Sequence, residues 1–294
     1  EGYRQVRKNR RKGYVNRVIL LSDGLANIGV TSSAQLGRRT SLMYEDGVSV
    51  STFGMGLDFD EDLLSSVAYG SGGSYYYISR PDDIYAALGR EFHMASRTVA
   101  SGVQIIIRPL DGCRFESAPG HHWKMEKGSA VIGLGDLSAG ETRTLMAKVN
   151  VPTGNIGSRD IADVSVRYQN ALTGEADRHE PGPVALVIID DPRVHRENVD
   201  TEVKGNMAVI ESSALMNEAA RKVDEGDRDG ALTIIKRALG SLKSAPQSTE
   251  VKSEIERVED YSEDLISYDE LDLTEQEEIQ KEMKYQNYQE LHQQ

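Results

Sequence analysis

The apolar residues of this chain change their period twice, and the changes divide it into three regions. Over residues 15 to 90, short unbroken apolar runs, Val18 to Leu21, Val48 to Phe53 and Tyr75 to Ile78, alternate with helical patterns at Ser33 to Glu45, Asp60 to Ala68 and Ile84 to Phe92. Strands with no polar face, separated by helices, predict a doubly wound α/β unit with a parallel sheet covered on both sides, here over residues 1–94. After Arg97 the period becomes two: Val103, Ile105 and Ile107 share a face, then Leu145, Ala147 and Val149 within Arg143 to Val149, then Val164, Val166 and Tyr168, before a last apolar strand at Val184 to Ile189. Strands at this spacing with no helix between them predict an antiparallel β-sandwich over 98–191. From Asn206 the period is helical, with Ala231, Ile235, Ala238 and Leu242 at i, i+4, i+7 and i+11. The run Gly226 to Gly230 breaks this helix from one over Met207 to Val223, Pro246 ends it, and Ile255, Val258, Ser262 and Leu265 predict a third, giving an α-helical hairpin or bundle over 203–271. Residues 272–294, rich in Glu and Gln with few apolar anchors, are expected to fray. The polar link from Ile189 to Val203 is short and lacks Gly/Ser flexibility, so the helices are expected to dock on the rest of the chain.

Composition and charge sharpen this picture in three places. The 294 residues are 38% hydrophobic and 28% charged, and no apolar run of about 18 residues is present, so no segment is expected to span a membrane. The chain begins at Glu1 without an initiator methionine, which leaves its compartment open; an extracytoplasmic or membrane-anchored place is compatible with a signal preceding it. The single cysteine, Cys113, excludes an intrachain disulfide and a multi-cysteine zinc site, and reads as a small buried hydrophobe near a strand end. Net charge is −13, with about 23 acidic against about 11 basic residues from Asp200 onward. The start is basic (Arg4, Arg7, Lys8, Arg10, Arg11, Lys12 and Arg17), a pattern that suits a solvated helix face and a C-terminal helix turn. No aromatic-studded basic stripe follows, so a nucleic-acid partner is not expected.

The segment richest in chemistry is Arg17 to Gly29. A buried parallel strand ending in Ser22-Asp23-Gly24 sets a carboxylate at the carboxyl edge of the sheet, where open α/β folds place ligands. Gly24 is read as the turn, continued by Asn27 and Gly29. With the Phe53-Gly54-Met55-Gly56 strand ending, Asp62-Leu63-Leu64 and Gly72-Gly73-Ser74-Tyr75-Tyr76, this stretch resembles the C-terminal half of a von Willebrand factor A (VWA) domain, a Rossmann-like fold, in its bacterial branch where a β-sandwich and helices follow. The match covers about residues 1 to 92. Beyond it, Leu134-Gly135-Asp136-Leu137 and Gly140-Glu141 are similar to the partner domains.

The resemblance implies a non-enzymatic, adhesion-type protein in which a divalent cation, usually Mg2+, is held by three loops and a protein ligand donates a carboxylate to it. Asp23 matches the third loop's aspartate, which reaches the metal through a water, with Ser22, Gly24 and Asn27 supporting the loop. No Asp-x-Ser-x-Ser sequence occurs in these residues. The resemblance places that loop and the threonine loop before residue 1, so this chain alone is expected not to hold the metal tightly. The helical hairpin resembles one tetratricopeptide unit, of which about three are usually needed for a continuous core.

Other signals carry less. Gly54-Met55-Gly56 lacks the third glycine of a dinucleotide fingerprint. His121-His122 point to opposite faces of a strand. Asp58, Asp60, Glu61 and Asp62 lack the glycine and terminal glutamate of a calcium loop and read as a helix N-cap with first-turn acids. Tyr75, Tyr76 and Tyr77 alternate faces, so core packing with one exposed ring is expected. The alternative function is a structural scaffold with a vestigial metal site that binds through its helical domain. A phosphatase-type hydrolase is disfavoured for want of a second aspartate motif and a lysine or histidine base.

Overall fold

The computed structural model describes residues 1–11, 14–121, 123–152, 156–190 and 200–292. Its first region opens with α1 (Gly2–Asn9), whose last turn carries Arg7 and Lys8. Three parallel strands follow, β1 (Arg17–Ser22), β2 (Ser49–Met55) and β3 (Tyr75–Ile78), in the order β1-β2-β3. They alternate with α2 (Ser33–Glu45), α3 (Glu61–Gly70) and α4 (Asp83–Ser96). Asp60 caps α3 by accepting from the Leu63 amide at 2.8 Å, which is the role the acidic run predicts. Val50, Tyr75 and Tyr77 pack with Leu63, Leu64 and Val67 of α3 on one face of the sheet. Phe53, Tyr76 and Ile78 pack with Ala87 of α4 on the other.

The strands are not equally buried. Central β2 is buried along nearly its whole length, but among the described residues β1 has a strand neighbour on one side only, and Leu20 and Leu21 are 38% and 42% exposed. The buried strand expected at Val18 to Leu21 is thus a half-buried edge, because an apolar run reports what a strand can bury and not how many neighbours it has.

The second region is a five-stranded antiparallel sheet in the order β10-β9-β4-β7-β6, comprising β4 (Thr98–Pro109), β6 (Trp123–Glu126), β7 (Ser129–Ser138), β9 (Gly157–Asn170) and β10 (Ala176–Ile188). A two-stranded ribbon, β5 (Arg114–Ser117) with β8 (Lys148–Asn150), supplies Phe115 to the cluster of Ile107, Ala130 and Ile132. The expected strand over Arg143 to Val149 shrinks to β8. Its first half is pulled out of a ladder by Arg143, which donates to the carbonyls of Leu134 and Asp136 and pairs with Glu141. Cys113 is buried beside the start of β5.

The third region holds α5 (Thr201–Asp224), α6 (Arg228–Ser244), α7 (Thr249–Ile266), a single 3-10 turn (Tyr268–Glu270) and α8 (Leu273–His292). The stripe Ala231, Ile235, Ala238 and Leu242 is fully buried among Met216, Val251, Val258 and Leu265. Residues 191–199 of the connecting link lie outside the described residues, as does His122.

The expected fraying after Asp272 is overturned: Leu273–His292 is a helix that docks on the parallel sheet. Its anchors are Lys281, Tyr285, Tyr288 and His292, spaced i, i+4, i+7 and i+11, a stripe of lysine stems and rings that a search for aliphatic residues passes over. Tyr75 meets Tyr285 and Tyr288 edge-on, with centroids 5.7 and 5.4 Å away. Lys281 Nζ donates to the Phe59 carbonyl at 2.9 Å and to Glu61 at 2.7 Å, and Lys284 bridges Glu61 and Asp224. All three tyrosines at 75–77 are therefore buried, and the exposed ring expected among them is absent, because α8 covers one face and α4 the other.

Candidate functional site

The loop that leaves β1 stands at the carboxyl edge of the parallel sheet. Ser22 ends the strand in register with Gly54, and its Oγ donates to the Gly24 carbonyl at 3.0 Å, closing a tight bend around Asp23. Asp23 and Asn27 are exposed, as are Leu25 (69%) and Ile28 (88%). The turn read at Gly24 is made without a left-handed backbone there, which this loop takes at Gly29 (φ 88°), and a Cβ at Gly24 would meet nothing within 4 Å. The bend at Gly24 is set by the Ser22 hydroxyl, and Gly29 is where only glycine is unstrained.

This loop brings one carboxylate, Asp23, to the sheet edge together with the Ser22 hydroxyl. Among the described residues no group of three histidine, cysteine or acidic side chains could hold a metal ion. A magnesium ion takes six oxygen ligands, so the donors present do not fit an inner-shell site on their own.

The opposite end of β1 is closed. Arg17, nine-tenths buried, pairs with Glu91 of α4 at 2.6 Å and with Asp136 of β7 at 2.7 Å. Glu91 also accepts from Ser51 (2.5 Å) and Tyr76 (2.9 Å), and Asp136 accepts from the Gly102 amide (3.1 Å). Burial pulls the Arg17 guanidinium down, and the two carboxylates outweigh it, so its pKa is raised and its charge is locked. One side chain thereby ties β1, the last helix of the parallel unit and the antiparallel sheet together. Beside it the backbones of Gly72 and Gly135 touch, leaving no room for a Cβ at either. Sequence reasoning missed this network. Its visible signs were a cation opening an apolar run and an acid inside Leu134-Gly135-Asp136-Leu137.

A von Willebrand factor type A protein from Catenulispora acidiphila superposes on 90% of this chain and 61% of its own, with a TM-score of 0.69 at 18% identity. The chain has a von Willebrand factor A-type fold. No family model matches it. Among curated proteins, the uncharacterized protein YfbK of Escherichia coli is 31% identical over 159 residues, covering 51% of this chain and 27% of its own length. An uncharacterized protein of Synechocystis sp. is 22% identical over 244 residues, covering 76% of this chain and 55% of its own. The VWA-type chain thus spans about a quarter of one relative and about half of the other. No helix among its described residues is long and apolar enough to cross a membrane.

Proposed function

We propose that this chain belongs to a non-enzymatic, protein-binding VWA protein of the adhesion type, in which Asp23 supplies the outer-shell contact to a divalent cation. The observation that carries the reading is the position of Asp23: an exposed carboxylate at the carboxyl edge of a parallel sheet, held on a loop bent by Ser22. The remaining ligands would come from loops beyond these residues, and the open cation position would take a carboxylate of the protein ligand. Mg2+ suits an acid that acts through water, since it keeps several of its own waters. The antiparallel sheet and the helices hold the VWA unit in place and are not part of the cation site.

The test uses the protein at its natural length. Retention of a protein ligand in Mg2+, released by EDTA and lost in Asp23→Ala, supports the proposal. Retention that survives both EDTA and Asp23→Ala would instead favour a scaffold that binds through its helical unit.

A further inference from the structure

Where the three regions meet, α2, the turn between α3 and β3, β7 and the end of α8 enclose a cavity of about 570 Å3, within the range of small-molecule sites. We propose that this cavity binds a small aromatic monoanion, an aryl carboxylate or sulfonate, with its ring inside and its acid group at the rim.

The interior offers rings and little unspent polarity. Tyr44, Tyr69, Trp123 and Tyr288 line it. The Tyr44 hydroxyl lies 3.2 Å from the carbonyls of both Val103 and Gly135, and the Tyr288 hydroxyl donates to the Gly73 carbonyl at 3.2 Å. What these two rings leave for a ligand is carbon, which favours an apolar or aromatic body. The charges in the wall are committed too. Arg17 is held by Glu91 and Asp136, Arg143 by Glu141 and two carbonyls, and Lys124 by Glu45 and Glu126. Among the described residues, a charged group deep in the cavity would find no free counter-charge, and it would lose its hydration.

The rim differs in one residue. Arg38, exposed on α2, is a lining cation that no acidic side chain of the described residues pairs. A guanidinium free at the mouth can take a planar acid group in a fork. One guanidinium balances one negative charge, which sets the ligand as a monoanion.

The chain carries its own reporter, because Trp123 is its single tryptophan and lies in the wall. Gly133 of β7 offers the way to fill the space: a Cβ there meets only Tyr44, at 3.8 Å. Trp123 emission is titrated with 2-naphthoate and with neutral 2-naphthalenemethanol. The expected result is a saturable change with both, tighter for the acid. Gly133→Leu should weaken both by about tenfold or more, and Arg38→Gln should weaken the acid by about tenfold while leaving the alcohol within about twofold. If Gly133→Leu does not fold, Ser41→Leu fills the same cavity from α2. A folded filling variant that binds as wild type, or no saturable change up to millimolar naphthoate, overturns the site. Equal losses of acid and alcohol in Arg38→Gln overturn the placement of the acid group.

Discussion

The two ends of β1 differ in kind. At its start, Arg17 is buried between two carboxylates drawn from two other parts of the fold. At its end, Asp23 sits in solvent on a loop that also exposes Leu25 and Ile28. A buried, fully paired charge resists change because any one loss strands its partners in a medium that cannot solvate them. An exposed, unpaired carboxylate costs nothing to keep and is available to a ligand. The same strand therefore carries an architectural end and an end suited to chemistry, about 20 Å apart at a strand's rise per residue.

The comparison is broken most readily at the closed end. Arg17→Met leaves Glu91 and Asp136 buried without their cation and should cost about 3 to 5 kcal/mol in urea unfolding. Replacing Arg17, Glu91 and Asp136 together by apolar residues of similar volume should recover much of that loss. If Arg17→Met costs less than about 1 kcal/mol, the network is not what joins the antiparallel sheet to the parallel one.

The next effect tests whether α8 belongs to the closed architecture. Burial pushes the Glu61 carboxyl up, but the Lys284 charge and hydrogen bonds from Lys281 and Lys284 outweigh it and hold the pKa at about 2, below the ordinary 4.5. A depressed acid contributes stability that is whole above about 4.5 and is lost as pH falls toward about 2. Glu61→Gln should destabilise the protein by about 2 to 3 kcal/mol at neutral pH and flatten its acid limb between those values. Thermal melts of both proteins across that window read the difference.

A smaller effect lies under the same helix. Among the described residues the buried Tyr75 hydroxyl has no hydrogen-bond partner. Tyr75→Phe keeps both edge-on ring contacts and removes that group, so stability should be unchanged or rise by up to about 1 kcal/mol. A clear loss in urea unfolding would reveal a partner for that hydroxyl. The smallest effect belongs to the open end. Asp23→Ala should change unfolding free energy by no more than about 0.5 kcal/mol. A loss several times larger would make Asp23 a structural residue and erase the contrast between the two ends.

What could be read from the sequence follows from how each feature is encoded. β2, β3, α2 and the α6 stripe depend on aliphatic and aromatic residues at a fixed period, and they appear where the pattern puts them. The docking of α8 depends on Lys281, Tyr285, Tyr288 and His292, whose period is as regular but whose polar ends hide it. The irregular stretch before β8 depends on one side chain, Arg143, reaching backbone carbonyls on β7, which no local pattern encodes. The candidate loop was legible because Ser22-Asp23-Gly24 is contiguous. The Arg17 network was not, since its members are 74 and 119 residues apart from Arg17 and converge only in the fold.

The proposal that Asp23 serves a cation-dependent site is tested most directly by calorimetric titration of Mg2+ into this chain and into a natural chain extended upstream through an Asp-x-Ser-x-Ser loop. One outer-shell carboxylate predicts affinity no better than about millimolar for residues 1–294. The extended chain should bind markedly tighter, and Asp23→Ala in it should weaken binding. Micromolar affinity in this chain alone, or an extended chain indifferent to Asp23→Ala, would contradict it.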